Sequence, residues 1–78
     1  MSKPSTAPAI LTAEQCRAAR AVLKMTYLDM QAETQVAQGT LNKFEAGGEV
    51  RASILARLQT AFEAHGIVFT PDGRGLTW

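Results

Sequence analysis

Apolar residues recur at helical spacing from residue 11 onward, and they predict a first helix that begins at Thr12. Thr12 and Gln15 have the spacing of a capping box, and Leu11 lies where the first half of a hydrophobic staple would lie. Residues 1–11 contain prolines and no apolar face, which predicts a flexible tail. The predicted helix buries one stripe, formed by Cys16, Ala19, Val22 and Leu23.

Two shorter helices are predicted next. Thr26 is placed to cap a helix that ends before Gln35. Residues 37–46 show helical spacing of their apolar positions and are followed by two glycines, Gly47 and Gly48, which end a helix. The chain therefore predicts two helices of about two turns each, separated by a short connection.

The longest apolar stripe predicts a fourth helix, with Ser53 as its N-cap and Gly66 as the left-handed residue of a Schellman end. The stripe consists of Ile54, Leu55, Leu58, Ala61, Phe62 and His65. Beyond it, residues 67–69 and 74–78 are β-prone and flank turn residues. Residues 12–66 are thus predicted to form a helical domain, and residues 67–78 a short β-hairpin.

Composition limits how such a chain can be stabilised. Its 78 residues make one small domain with a small core. A single cysteine and a single histidine leave no internal disulfide and no zinc site, so stability must come from helix packing or from a second subunit. Cys16 is expected to be a small core residue, and His65 to interact with a helix dipole.

The net charge and the motifs limit the classes of function that the sequence can support. A net charge of +1 gives no overall field toward nucleic acid, so such binding would need a local patch. There is no signal-peptide pattern and no apolar run of membrane-spanning length, which predicts a cytoplasmic, nucleoid-associated protein without a membrane partner. No paired carboxylates, nucleophile with a base or metal-ligand spacing is found, so an enzyme, a metal and a cofactor are not expected.

Two short helices joined by a turn have the geometry of a helix-turn-helix. Residues 23–30 (LKMTYLDM) and 36–47 (VAQGTLNKFEAG) resemble the core of the Xre/Cro/cI-like family of small bacterial and phage regulators, and the resemblance extends over about residues 12–69. It implies an all-α, lambda-repressor-like domain of four to five helices with a short C-terminal β segment. It also implies a sequence-specific DNA-binding transcriptional regulator, expected to be a repressor.

The resemblance assigns roles to individual residues. Base contacts are implied for Gln38, Gly39 and Lys43, and glutamine and lysine are suited to adenine and guanine edges. A partly buried salt bridge is implied between Arg20 and Glu45. Phosphate contacts are implied for Thr26, Tyr27, Thr40 and Asn42. For each exposed residue an ordinary solvated position remains the alternative, and Tyr27 could instead pack against its own helix.

Three departures from the family pattern weaken the motif. Gln31 stands at a tight position where the family commonly has alanine, and Gln35 at a turn position that often needs positive φ. Ala37 replaces the usual hydroxyl cap, at a cost of about 1 kcal/mol. Residues 26–46 also carry a charge of −2, from Asp29, Glu33, Lys43 and Glu45. These features favour an alternative: a protein-interaction module, antiactivator-like or antitoxin-like, with weak or no DNA binding and a protein partner.

The resemblance implies that the regulator binds a two-fold operator as a homodimer, with half-sites about 10–10.5 bp apart. An exposed apolar strand at the end of a small core is expected to be buried in an interface, and pairing with the same strand of a second subunit is a common way to bury it. The predicted dimer contact therefore combines the fourth helix with the following strand, through Leu55, Phe62, Ile67 and Phe69.

Overall fold

The protein is described here by a computed structural model that covers residues 11–78. It is a mostly helical domain with four helices and one short antiparallel sheet: α1 (Ala13–Leu23), α2 (Tyr27–Thr34), α3 (Gln38–Glu45), α4 (Ala52–Ala64), β1 (Val68–Phe69) and β2 (Leu76–Thr77). The predicted tail lies outside the described residues except for Leu11, which is buried in the core. None of the helices in residues 11–78 is long and apolar enough to cross a membrane.

The predicted capping box at the start of α1 is confirmed. The Thr12 hydroxyl accepts a hydrogen bond from the Gln15 backbone N–H at 3.2 Å, and the Gln15 side-chain oxygen accepts one from the Thr12 N–H at 3.1 Å. Two of the backbone donors that a helix start leaves open are thereby satisfied. The start of α1 is fixed by residues that the sequence alone identifies.

Gln15 has a second role that the sequence pattern does not indicate. Its side chain is buried, and its Nε2 donates to the carbonyl oxygens of Thr70, at 3.2 Å, and Gly75, at 2.8 Å. The Thr12 hydroxyl also donates to the Gly73 carbonyl at 2.8 Å. The hairpin is therefore attached to the first turn of α1 by three side-chain hydrogen bonds.

Both short connections after α1 and α2 use left-handed residues that are not glycine. Lys24 ends α1 with φ 57°, and Gln35 ends α2 with φ 62°. The second helix starts, as predicted, at Thr26, whose hydroxyl accepts from the Asp29 N–H at 3.0 Å. The positive φ expected at Gln35 is confirmed, and a residue with a Cβ is strained there.

The predicted Schellman end of α4 is confirmed. Gly66 has φ 92°, its N–H donates to the Glu63 carbonyl, and the Ile67 N–H donates to the Phe62 carbonyl at 3.2 Å. The side chains of Phe62 and Ile67 both lie in the core. The helix end thus turns the chain directly into the strand that follows.

The predicted N-cap of α4 is wrong by two residues. The cap is Arg51, whose carbonyl accepts the first helical hydrogen bonds, from the N–H groups of Ile54 and Leu55. Ser53 therefore already has helical backbone and lies in the first turn. Neither Arg51 nor Ser53 makes a side-chain cap, so this helix depends on the burial of Leu58 and Phe62 rather than on its start.

The core lies between the helices and the hairpin. β1 and β2 pair antiparallel, with Val68 opposite Thr77 and Phe69 opposite Leu76, and the Phe62 and Phe69 rings meet edge to face at 6.0 Å. The buried apolar side chains are Leu11, Cys16, Ala19, Met30, Val36, Leu41, Phe44, Leu58, Phe62, Ile67 and Phe69. One core therefore joins every element.

The side chains of three of the four predicted dimer contacts are covered by the rest of the chain. Phe62, Ile67 and Phe69 are buried by their own chain, so their side chains are not available to a partner; Leu55 is half-buried. The outward face of the hairpin carries Val68 instead, which is 63% exposed.

Replacing Gln35 by glycine should stabilise the protein. Glycine has no Cβ penalty at φ 62°, although its unfolded chain is more flexible, and the net gain should be about 0.5–1 kcal/mol. Thermal unfolding should shift upward by roughly 2–6 °C. Ala32→Gly, at an exposed position inside α2, is the control and should destabilise by about 1 kcal/mol. A lower melting temperature for Gln35→Gly would contradict the assigned backbone conformation.

Candidate nucleic-acid interface

The third helix separates an apolar face from a polar one. Leu41 and Phe44 are buried and hold α3 against the rest of the domain. The opposite side faces solvent and carries Gln38, Gly39, Asn42 and Lys43, with Thr40 half-buried at its edge. The three residues expected to contact bases therefore share one accessible surface, together with one of the expected phosphate contacts.

The three-residue connection between α2 and α3 is anchored from inside. Val36 is buried, and its N–H donates to the Thr34 hydroxyl at 3.1 Å, while that hydroxyl donates to the Met30 carbonyl at 2.6 Å. The buried polar group thus has partners on both sides. This chain of contacts fixes where α3 begins relative to α2.

The start of α3 is capped by an unexpected residue. Ala37 makes no side-chain cap, but the Gln31 side-chain oxygen accepts a hydrogen bond from the Gln38 backbone N–H at 3.3 Å. Gln31 is exposed, so the expected crowding at this position is absent. A glutamine one turn before the end of α2 thus takes over the function of the missing hydroxyl cap.

The two glycines after α3 have different tasks. Gly47 has φ 99° and begins a Schellman end, in which the Gly48 N–H donates to the Lys43 carbonyl at 2.8 Å. Gly48 is needed for space: a Cβ there would lie 2.7 Å from the Lys43 Cγ and 2.9 Å from its carbonyl oxygen. The aliphatic part of Lys43 therefore lies against the Gly48 backbone.

The end of α3 is tied to α1 by an ion pair between Arg20 and Glu45. The Arg20 Nε and Nη2 each donate to a different oxygen of the Glu45 carboxylate, both at 2.7 Å, and the carboxylate is buried. The remaining Arg20 donor, Nη1, reaches the Met25 carbonyl at 3.0 Å, next to the start of α2. Such two-pronged geometry fixes orientation as well as charge.

Tyr27 belongs to the same cluster. Its hydroxyl donates to a Glu45 oxygen at 3.1 Å. Its ring lies against the Arg20 guanidinium, with 4.4 Å between the ring centroid and the Arg20 Cζ. Because a phenol has a single O–H to donate and a phosphate only accepts, the Tyr27 hydroxyl is not free to bind a phosphate. The expected phosphate contact through this side chain is therefore wrong.

Two further residues complete the surroundings of Glu45. The Cys16 thiol donates to the carboxylate at 3.2 Å, and an Arg17 guanidinium nitrogen donates to the Glu45 backbone carbonyl. Burial, followed by the neighbouring carboxylate, raises the pKa of Cys16 far above its ordinary value. The thiol is buried as expected and is held in its protonated, unreactive form.

Burial alone would raise the pKa of Glu45. Hydrogen bonds from Arg20, Cys16 and Tyr27, together with the Arg20 charge, outweigh this effect and leave the pKa below its ordinary value. The Glu45 hydrogen bond likewise raises the pKa of Arg20. The pair is therefore fully charged at neutral pH, and the carboxylate stabilises the fold only in its ionised form.

The local excess of acidic residues is partly compensated. Glu45 is neutralised by Arg20, and the Glu33 carboxylate lies 2.8 Å from the His65 ring. Of the four charged residues in 26–46, Asp29, Glu33 and Lys43 form no ion pair with a lysine, arginine or carboxylate in the part of the chain described. Lys43 and Arg51 line a groove beside α3 together with Thr40, Glu49, Val50 and Ile54.

The expected phosphate contacts are not all equivalent. Asn42 is exposed on α3 and Thr40 is half-buried beside it. Thr26 lies at the start of α2, where its backbone N–H is already bound by the Asp29 carboxylate at 2.9 Å. That negative charge disfavours an approaching phosphate, although the Thr26 hydroxyl hydrogen has no acceptor among residues 11–78.

Comparison of the chain with protein-family models, curated proteins and solved structures finds no match in any of the three. The interpretation of this surface therefore depends on its geometry. Within the described residues, no three His, Cys, Asp or Glu side chains form a group that could hold a metal ion.

Replacing Glu45 by glutamine should destabilise the domain and change its pH dependence. The depressed pKa means that stability from this carboxylate is present above its unfolded pKa, about 4.3, and is lost as pH falls through the lower folded value. Glu45→Gln should lower the free energy of unfolding by about 3 kcal/mol at pH 7, and the stability of the variant should fall less as the pH is lowered. Urea unfolding between pH 7 and pH 3 measures both effects.

Glu49→Gln is the matched control for that experiment, because Glu49 is exposed and lies only a few residues further along. It should leave nearly unchanged both the stability at pH 7 and the loss of stability at acidic pH. If the two variants behaved alike, removing the carboxylate that partners Arg20 would not destabilise the fold, and the assigned ion pair would be contradicted.

Proposed function

We propose that the protein is a sequence-specific DNA-binding transcriptional regulator, acting as a repressor, in which α2 and α3 form a lambda-repressor-like helix-turn-helix. The observation that supports this most directly is the exposure of Gln38, Asn42 and Lys43 on one side of α3 while its other side is buried. In a helix-turn-helix the second helix enters the major groove with such a polar face. The resemblance of residues 23–30 and 36–47 to the Xre/Cro/cI-like family agrees with this.

Each exposed residue of α3 has a chemical task in this proposal. Gln38 presents an amide that can pair with adenine N6 and N7, and Lys43 a cation for guanine or a phosphate. A Cβ at Gly39 would meet no atom of residues 11–78 within 4 Å, so the glycine leaves room for DNA to approach the backbone. Asn42 and Thr40 supply neutral donors for phosphates that set the register.

Orientation of α3 comes from the residues around Glu45. An eight-residue helix is not stable by itself, so its direction must be imposed by its neighbours. The bidentate Arg20 contact at one end and the Gln31 cap at the other hold it before DNA arrives. A reading helix that is already positioned loses less entropy on binding.

Binding of the wild-type protein to DNA from its own upstream region, titrated at two salt concentrations, tests the proposal. We expect binding that weakens several-fold with salt, because phosphate contacts release counterions. Lys43→Ala combined with Gln38→Ala should reduce affinity by roughly tenfold or more.

Arg74→Ala is the matched control, since Arg74 is an exposed cation on the hairpin rather than on α3. It removes a positive charge and should leave most of the affinity. The absence of any shift by the wild-type protein at either salt concentration would contradict DNA binding and favour the interaction module described next.

A protein-interaction module is the second candidate. Leu28, on the exposed side of α2, has 62% of its surface accessible, and a large exposed apolar side chain next to a polar helix is suited to a protein partner. The pairing of Glu45 with Arg20 weakens one argument for this alternative, the acidic balance of the motif. The DNA titration therefore separates the two functions.

As part of this proposal, the regulator acts as a homodimer on a two-fold operator. The contact would use the outward face of the hairpin, where Val68 is exposed, in place of the buried side chains predicted from sequence. Sedimentation at high micromolar concentration should show a dimer, and Val68→Lys should give a folded monomer whose melting temperature no longer depends on protein concentration. A wild-type protein that stays monomeric would contradict the dimer while leaving DNA binding by a single subunit open to the titration above.

A further inference from the structure

Among residues 11–78, Gln31 is the one residue outside α3 whose side chain bonds to the start of that helix. Its Oε1 lies 3.3 Å from the Gln38 backbone nitrogen, and its side chain is exposed. A backbone N–H can only donate, so the oxygen of the carboxamide must face α3. The Nε2 group is then directed away from that bond, and no residue in the described part of the chain accepts a hydrogen bond from it.

We infer that Gln31 is an additional DNA-contacting residue: its oxygen holds the start of α3 while its amide N–H groups donate to an acceptor atom of the bound duplex. The inference rests on the proposed function. The geometric basis is the hydrogen bond between the Gln31 carboxamide and the backbone N–H of Gln38, the residue whose side chain is proposed to contact a base. A duplex that Gln38 contacts therefore passes close to the Gln31 amide.

The donor role has a chemical logic at this position. Within positions 37–39 Gln38 has the only side-chain donor, because Ala37 and Gly39 have none. DNA presents acceptors at phosphate oxygens and at several base edges, and a neutral amide can bind either. A glutamine thus adds a contact without adding charge, and it does so from a side chain whose position is already fixed at its other end.

Gln31→Glu separates the donor role from a purely structural cap. A glutamate keeps the oxygen that accepts from the Gln38 N–H, and a negative charge is favourable at a helix start. The melting temperature should therefore be equal or higher, and the Gln38 amide should stay protected from hydrogen exchange. The variant has lost both N–H donors and carries a charge that repels DNA acceptors, so its affinity for DNA should fall by roughly tenfold or more.

Gln35→Glu is the matched control, because it places the same charge four residues away on an exposed side chain that makes no hydrogen bond to α3 within residues 11–78. It measures how far a negative charge in this region weakens binding without removing the donor. Gln31→Ala removes both cap and donor, so we expect faster exchange at Gln38 and roughly 2- to 12-fold weaker binding. All variants are titrated with a duplex selected by the wild-type protein from a random pool and with a shuffled duplex.

The outcomes distinguish the two proposals. A larger loss for Gln31→Glu than for Gln35→Glu, with Gln38 still protected, supports the inference; loss on both duplexes identifies a phosphate acceptor, and loss on the selected duplex alone a base acceptor. Equal losses for the two glutamates would overturn it and leave Gln31 as a cap only. If the wild-type protein binds no duplex, the proposed function fails first and this inference with it.

Discussion

Glu45 carries a negative charge into the interior, and the geometry of the helical body depends on how that charge is satisfied. Its carboxylate accepts hydrogen bonds from Arg20 and Cys16 of α1 and from Tyr27 of α2, while belonging itself to α3. A buried carboxylate without such partners is expensive, so arrangements that separate these helices are disfavoured. The cluster therefore specifies one packing of three helices rather than adding greatly to the overall stability.

The third helix depends on contacts outside itself at every point. It has eight residues, its N-cap is an alanine, and its exposed face includes a glycine, so its intrinsic helix propensity is low. Gln31 satisfies the first N–H, Leu41 and Phe44 supply the buried side, and Glu45 with Gly47 closes the end. The helix that carries the proposed reading surface is thus not stable by itself, and neighbouring helices supply its order.

Local rules in the sequence predicted much of this fold. Capping at Thr12 and the glycine end at Gly66 follow from short-range chemistry, and the periodicity placed the four helices within a few residues. The role of Gln15 in attaching the hairpin could not be predicted, because its two carbonyl partners lie 55 and 60 residues away. The same is true of the burial of Ile67 and Phe69, since an apolar strand looks alike whether its own chain or a partner covers it.

The candidate site shows the same division. Exposure along α3 follows from helical periodicity, and the resemblance to a known family is what suggested the pair of Arg20 with Glu45. The use of the Tyr27 hydroxyl inside the cluster, and of Gln31 as a cap, required knowledge of distances between helices. Both side chains are polar and lie near solvent, so sequence alone could not distinguish an internal bond from an external one.

The glycine at position 48 has a consequence for how such a surface could evolve. Because the Lys43 stem lies against its backbone, any side chain at this site would displace that lysine. In the proposed regulator, a substitution at position 48 would therefore alter base recognition through the position of Lys43. Drift at position 48 would thus be an indirect route to a new target.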